Sequence, residues 1–112
     1  MKLPAGDRAI VDMAKLRDYC LNRSHPVGKH KARVFAAALG LSVADAPILR
    51  KHLLRAALTA DASEGSVDAF GRRFWIESDI VHGPKRAILR SAWMIRSGEN
   101  VPRLITCYVQ LS

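Results

Sequence analysis

The chain has 112 residues, 49% of them hydrophobic and 25% charged, and a formal charge of +8. That length suits one domain, 1–112, with a single core, and no apolar run approaches the ~20 residues of a membrane-crossing helix. The opening MKLPAGDRAIVD lacks the apolar stretch of a secretory signal, and Cys20 and Cys107 have no metal-ligand spacing, so a cytoplasmic protein with reduced thiols and no membrane association is expected.

Asp12 is placed to cap a first helix over about 12–22, in which Met13, Leu16 and Cys20 fall at helical spacing and Tyr19 borders the stripe. Pro26 disfavours helix at His25 and puts it in an extended or turn segment. GKHKARVFAAALG predicts a second helix over about 28–39, closed by Gly40. A third follows over about 44–59, with Ser42 or Asp45 as its cap and Pro47 tolerated inside its first turn.

After DASEGSVDAFG the apolar period changes from helical to alternating. Strands are predicted over about 72–81, 85–97 and 102–110. HGPK and GENVP supply turns between them, and such short connections make antiparallel neighbours. The expected class is α+β: about three N-terminal helices packed on one face of a C-terminal antiparallel sheet of three to four strands, with the other face open to water.

On a helical wheel Ala32, Phe35, Ala36 and Leu39 form the core stripe of the second helix. Lys31 falls inside the apolar arc, between Val34/Ala38 and Phe35. A lysine there must snorkel, pair with a carboxylate, or point into a site. Lys29 and Arg33 share the border, one turn apart. In the last strand Ile105, Cys107, Val109 and Leu111 are expected to face the core, which leaves Thr106 and Tyr108 side by side on the open face. Arg73, Trp75, Glu77 and Asp79 share a face in the first predicted strand, as do Arg90 and Arg96 in the next.

Charge is uneven. Residues 1–60 hold eleven Lys and Arg against four Asp, whereas 61–112 hold seven against six acidic residues. A basic helical half favours a polyanionic partner, RNA above all, or an acidic protein. No glycine-rich phosphate loop, HExxH, CxxC or nucleophile elbow occurs, so neither metal nor cofactor is expected. Metal-independent RNA cleavage needs a base for the ribose 2′-OH, cations for the developing phosphorane charge and an acid for the leaving oxygen. His25 suits base or acid, Lys31, Lys29 and Arg33 suit the phosphate, and Thr106 and Tyr108 suit hydrogen-bond donation. The positive helix end near Gly28 would add to a phosphate site. Arg73, Trp75 and Arg90 could contact phosphate and stack on bases.

LPAGDRAIVDMAKLRDYCL, SHPVGKHKARVFAAALG and VPRLITCY together resemble a family of small bacterial domains of unknown function, number 6883. Members stand alone or end polymorphic and contact-dependent toxins, and the toxin-associated ones are similar to the barnase–EndoU–colicin–RelE ribonucleases, whose active site lies on an open sheet face. The resemblance spans about Leu3 to Tyr108. Its pattern falls on His25, Gly28, Lys31, Ala32, Arg33 and Phe35, joined by Trp93, Arg103, Thr106 and Tyr108. Gly28, Ala32 and Phe35 read as structural, and His25, Lys31, Arg33, Thr106 and Tyr108 as the catalytic set; Arg103 joins the RNA-binding residues and His30 is set aside. The resemblance implies a toxin-like endoribonuclease acting on RNA and covered by a small acidic antitoxin or immunity protein. The alternative is a non-catalytic RNA-binding or partner-binding module of the same fold. Convergence of His25 and Lys31 with Thr106 and Tyr108 in one cleft would favour catalysis, and a Lys31 pairing with Glu77 or Asp79 would favour binding alone.

Overall fold

The computed structural model describes residues 1–111. Helices come first. Asp12 accepts from the Ala14 N–H and starts α1 (Met13–Lys15), which widens at once into a π-helical turn, Leu16–Cys20. A π turn holds an extra residue per turn; here Leu16 and Cys20 are fully buried and Tyr19, half-buried, packs against the border of the core. Next comes α2 (Lys29–Leu39), ended by Gly40 in the left-handed region at φ 66°, where the N–H groups of Gly40 and Leu41 reach back to Ala36 and Phe35. Ser42 and Asp45 form a capping box ahead of α3 (Ala46–Thr59), whose first turn holds Pro47.

Four antiparallel strands follow in spatial order β1-β2-β3-β4: β1 (Ala62–Asp68), β2 (Gly71–His82), β3 (Lys85–Arg96) and β4 (Arg103–Gln110). The class is α+β, with three helices N-terminal to the sheet. No strand is expected over 62–68 from the sequence. ASEGSVD has neither an apolar run nor clean alternation, and β1 is an exposed edge strand held by its pairing with β2. Gly65 lies against the Trp75 indole, whose ring a Cβ would approach to 3.2 Å.

Phe74, Ile76, Leu89, Trp93, Cys107 and Val109 face the helices and meet Phe35, Leu39, Leu49 and Leu53 in the core. Trp93 is fully buried, and its indole N–H is satisfied by Ser91 Oγ. Two residues expected to point inward, Ile105 and Leu111, do not. A bulge opposite Ala92 and Trp93 shifts the β4 register, so Thr106 pairs with Ala92 and Leu104 with Trp93. Leu104 is therefore the core residue, and Ile105 is turned out and half-exposed. Leu111, also expected to face the core, lies beyond the end of β4 and is exposed. The N-terminal segment lies beside β4: Ile10 exchanges backbone hydrogen bonds with Pro102 and Leu104, and the rest of the β4 edge faces the first two helices. Among the described residues no single helix is long and apolar enough to cross a membrane.

Candidate active site at the edge of the sheet

Packing brings the N-terminus of α2 against the π-helical turn. Gly28 is buried there, and a Cβ on it would collide with the Tyr19 carbonyl oxygen, which is why glycine precedes the helix. His25 closes the same junction. Its Nδ1 accepts from the N–H groups of Val27 (3.0 Å) and Gly28 (2.9 Å), and its carbonyl accepts from Lys29. The helix end expected to serve a phosphate is thus capped by the protein's own side chain at these positions. An Nδ1 that accepts leaves the ring proton on Nε2. The ring also stands edge-on to Tyr19, with centroids 4.9 Å apart.

Lys31, in the first turn of α2, reaches between the π turn and β4. Its Nζ donates to Tyr19 Oη (2.9 Å) and Thr106 Oγ1 (3.1 Å) and lies 4.7 Å from the Tyr19 ring centroid and 5.8 Å from that of Tyr108. No carboxylate pairs with it among the described residues, and neither Glu77 nor Asp79 is its partner. Half-buried and unpaired with acid, the ammonium imposes its charge on two hydroxyl oxygens. Each hydroxyl oxygen accepts from Lys31 and keeps its own hydrogen for donation, which at Thr106 serves the buried Cys20 sulfur.

Two recesses flank this lysine. The larger, about 660 Å³, is lined by Tyr19, His25, Lys31, Ile105 and Thr106, with Asp12, Asp18 and Lys15 at its walls. The smaller, about 270 Å³, is lined by His30, Lys31, Val34, Tyr108 and Val109. His25, Lys31 and Thr106 line the larger recess and Tyr108 lines only the smaller, with Lys31 in the wall between them. Arg33 is exposed on α2 and lines neither recess, and Lys29 lines neither as well. Under the cleft Cys20 and Cys107 are buried side by side. Cys107 donates to the Cys20 sulfur. That hydrogen bond lowers the Cys20 thiol to about 7 and, with burial, pushes Cys107 well above the usual thiol range.

The open face of the sheet differs in character. Arg73 is paired with Asp68 (2.8 Å), Arg90 with Glu77 (3.2 Å) and Arg103 with Glu99 (3.1 Å), and Arg90 also covers Trp75 at 4.3 Å. These three cations are balanced in place, whereas Arg86 and Arg96 on the same face of β3, and Lys15 and Lys31 beside the sheet, have no carboxylate within ion-pair distance among the described residues. Asp18 and Tyr19 were not among the residues expected in the site. Tyr19 reads as a border of the core stripe, and Asp18 reads as a solvated helix residue. Among the described residues no cluster of three His, Cys, Asp or Glu has metal-binding geometry.

The model of a family described as a domain of unknown function (DUF6883) matches residues 2–111. No curated protein matches the chain. Among solved structures, the contact-dependent growth inhibition toxin–immunity protein complex from Klebsiella pneumoniae 342 contains a chain that superposes with a TM-score of 0.69. The match covers 96% of this chain and 97% of that one at 16% sequence identity, a likeness of fold.

Proposed function

The chain belongs to the DUF6883 family, and from that premise we propose that it is a toxin-like, metal-independent endoribonuclease of the toxin–antitoxin or polymorphic-toxin type, akin to the barnase–EndoU–colicin–RelE group. One observation carries the reading: a half-buried ammonium without a carboxylate, donating to two hydroxyl oxygens beside a recess. Attack of a ribose 2′-oxygen on its phosphorus forms a 2′,3′-cyclic phosphate and breaks the bond to the 5′-oxygen, which takes a proton from water; on the way negative charge concentrates on the non-bridging oxygens. The third N–H of Lys31 and the hydroxyl of Tyr19 meet that charge in a cleft that needs no reorganisation to do so. Tyr108 adds a further phenol beside the ammonium. Asp18, on the wall of the larger recess, supplies a carboxylate that caps nothing and can take the 2′-OH proton. His25 holds the start of α2, and through it Lys31, in position. Arg33 and Lys29 lie outside the cleft and contribute to the basic field around it.

A basic helical layer complements a small acidic antitoxin or immunity protein, and the structural neighbour comes from a complex with an immunity protein. RNA as substrate places the action in the cytoplasm. One observation favours the second reading, a non-catalytic RNA-binding or partner-binding module: the His25 nitrogen that a general base would use is committed to the helix cap. Total RNA and purified tRNA, incubated in EDTA with the wild type and with Lys31→Ala, separate the two. Discrete fragments from the wild type that the variant does not produce support the nuclease. Intact RNA at high protein concentration, with salt-sensitive binding retained, overturns it in favour of the binding module.

A further inference from the structure

The cleft does not end at Lys15. A third recess, about 220 Å³, shares Lys15 and Ile105 with the larger one and continues past Leu104 and Met94 to Arg96. A fourth hollow, at the β3–β4 turn, shares Arg96 in its wall. Three recesses therefore run along β4 from Val109 to Arg103, six steps of ~3.3 Å or roughly 20 Å, and their shared or end walls carry cations: Lys31, Lys15 and Arg96. Ile105 stands between Lys31 and Lys15, and Met94 and Leu104 between Lys15 and Arg96; Val34 and Tyr108 line the recess beyond Lys31, and Asp12 and Asp18 stand on the wall of the larger recess. The β4 bulge is what turns Ile105 out into this line.

From this alternation we infer that the β4 edge is a binding track for an extended single strand of RNA, whose phosphates meet Lys31, Lys15 and Arg96 in succession while its bases enter the recesses between them. The inference rests on the reading of Lys31 as an RNA site and deepens it. A single strand suits the track because it exposes base faces to apolar walls at the same repeat as its phosphates, whereas a duplex hides its bases and offers only its backbone. Lys15, on the wall shared by the cleft and the third recess, and Arg96, beyond it, have no carboxylate partner, whereas Arg73 and Arg103 are held by Asp68 and Glu99. They are the distal contacts of the strand.

The test is fluorescence anisotropy with 2′-O-methyl RNA, which cannot be cleaved by 2′-oxygen attack, in lengths of roughly two to ten nucleotides and as a duplex. Wild type, Lys15→Gln and Arg96→Gln are compared across a salt series, with circular dichroism to verify folding. Affinity is expected to rise with length until the three recesses are filled and then level, with the single strand preferred over the duplex. The loss in Arg96→Gln is expected to grow with length, and each variant is expected to lower the salt slope on long strands by ~0.7. Length-independent affinity, equal losses at every length, tighter duplex binding or no binding at all would each overturn the track. Cleavage of unmodified RNA in EDTA is scored separately. A protein that binds along the track but cuts nothing sinks the nuclease and keeps the track, and one that cuts without length dependence does the reverse.

Discussion

His25→Asn and His25→Ala decide what the imidazole does. Nδ1 of histidine and Oδ1 of asparagine are the same number of bonds from Cα, so asparagine can present an acceptor where Nδ1 now takes the Val27 and Gly28 N–H groups. It removes Nε2 and with it any proton chemistry. Alanine removes the acceptor as well and strands the N–H of buried Gly28. Losing a helix-start acceptor of this kind costs about 0.5–2 kcal/mol, and the edge-on contact with Tyr19 adds ~0.5–1.5 kcal/mol. A total near 2 kcal/mol lowers Tm by roughly 10 °C in a domain of this size. The readouts are Tm by calorimetry and the initial rate of RNA cleavage in EDTA. His25→Ala is expected to lose stability by that amount and to slow cleavage, because the α2 start that carries Lys31 is loosened. His25→Asn is expected to recover most of the stability and to cleave within about tenfold of wild type. A His25→Asn protein with native Tm whose rate falls ~10²–10⁴-fold would refute the capping argument and make the imidazole an acid or base.

Lys31→Met keeps the aliphatic stem and deletes the charge. Tyr19 and Thr106 are only partly buried and can turn to water, so stability is expected to move by less than ~1 kcal/mol while cleavage falls ~10²–10³-fold, the cost of one oxyanion donor; activity within a few-fold of wild type would remove Lys31 from the reaction. His52, beside Ser78, is held below the ordinary histidine range by burial and by the nearby Arg55 charge. The unfolded chain therefore binds that proton more readily, so stability is full above the unfolded value and falls as pH drops through about 6.5 toward the folded one. A plot of Tm against pH for His52→Asn is expected to be flatter over that window, and identical slopes would count against burial as the cause. Phe35→Ala empties a fully buried ring site between α2 and the sheet and is expected to cost about 3–5 kcal/mol in urea unfolding.

The order of helices then strands was legible because each signal is local. Asp12, Gly40, the Ser42–Asp45 box and Pro47 mark helix ends whichever tertiary partners they find. What was not legible depended on pairing. β1 has no apolar alternation to announce it and exists because β2 offers a ladder. The β4 bulge is a relation between two strands, and nothing in RLITCYVQ alone tells that the alternation slips between Leu104 and Thr106. That one-residue slip moved the core position from Ile105 to Leu104 and left Thr106 and Tyr108 on the parity read from the sequence.

Lys31 shows the same division within the site. A lysine in an apolar arc could be seen to need a partner, but the kind of partner could not be read. A carboxylate would have made it structural, since an ion pair quenches the charge. Two hydroxyls do the opposite. They lower the cost of holding an ammonium half out of water without neutralising it. The arginines of the open face, closer to what an aromatic-and-cation reading of the strands would choose, are neutralised by Asp68, Glu77 and Glu99. Residual positive potential, not the count of cations, decides where a phosphate settles, which is why the unpaired Lys31, rather than the paired arginines, is the group to test.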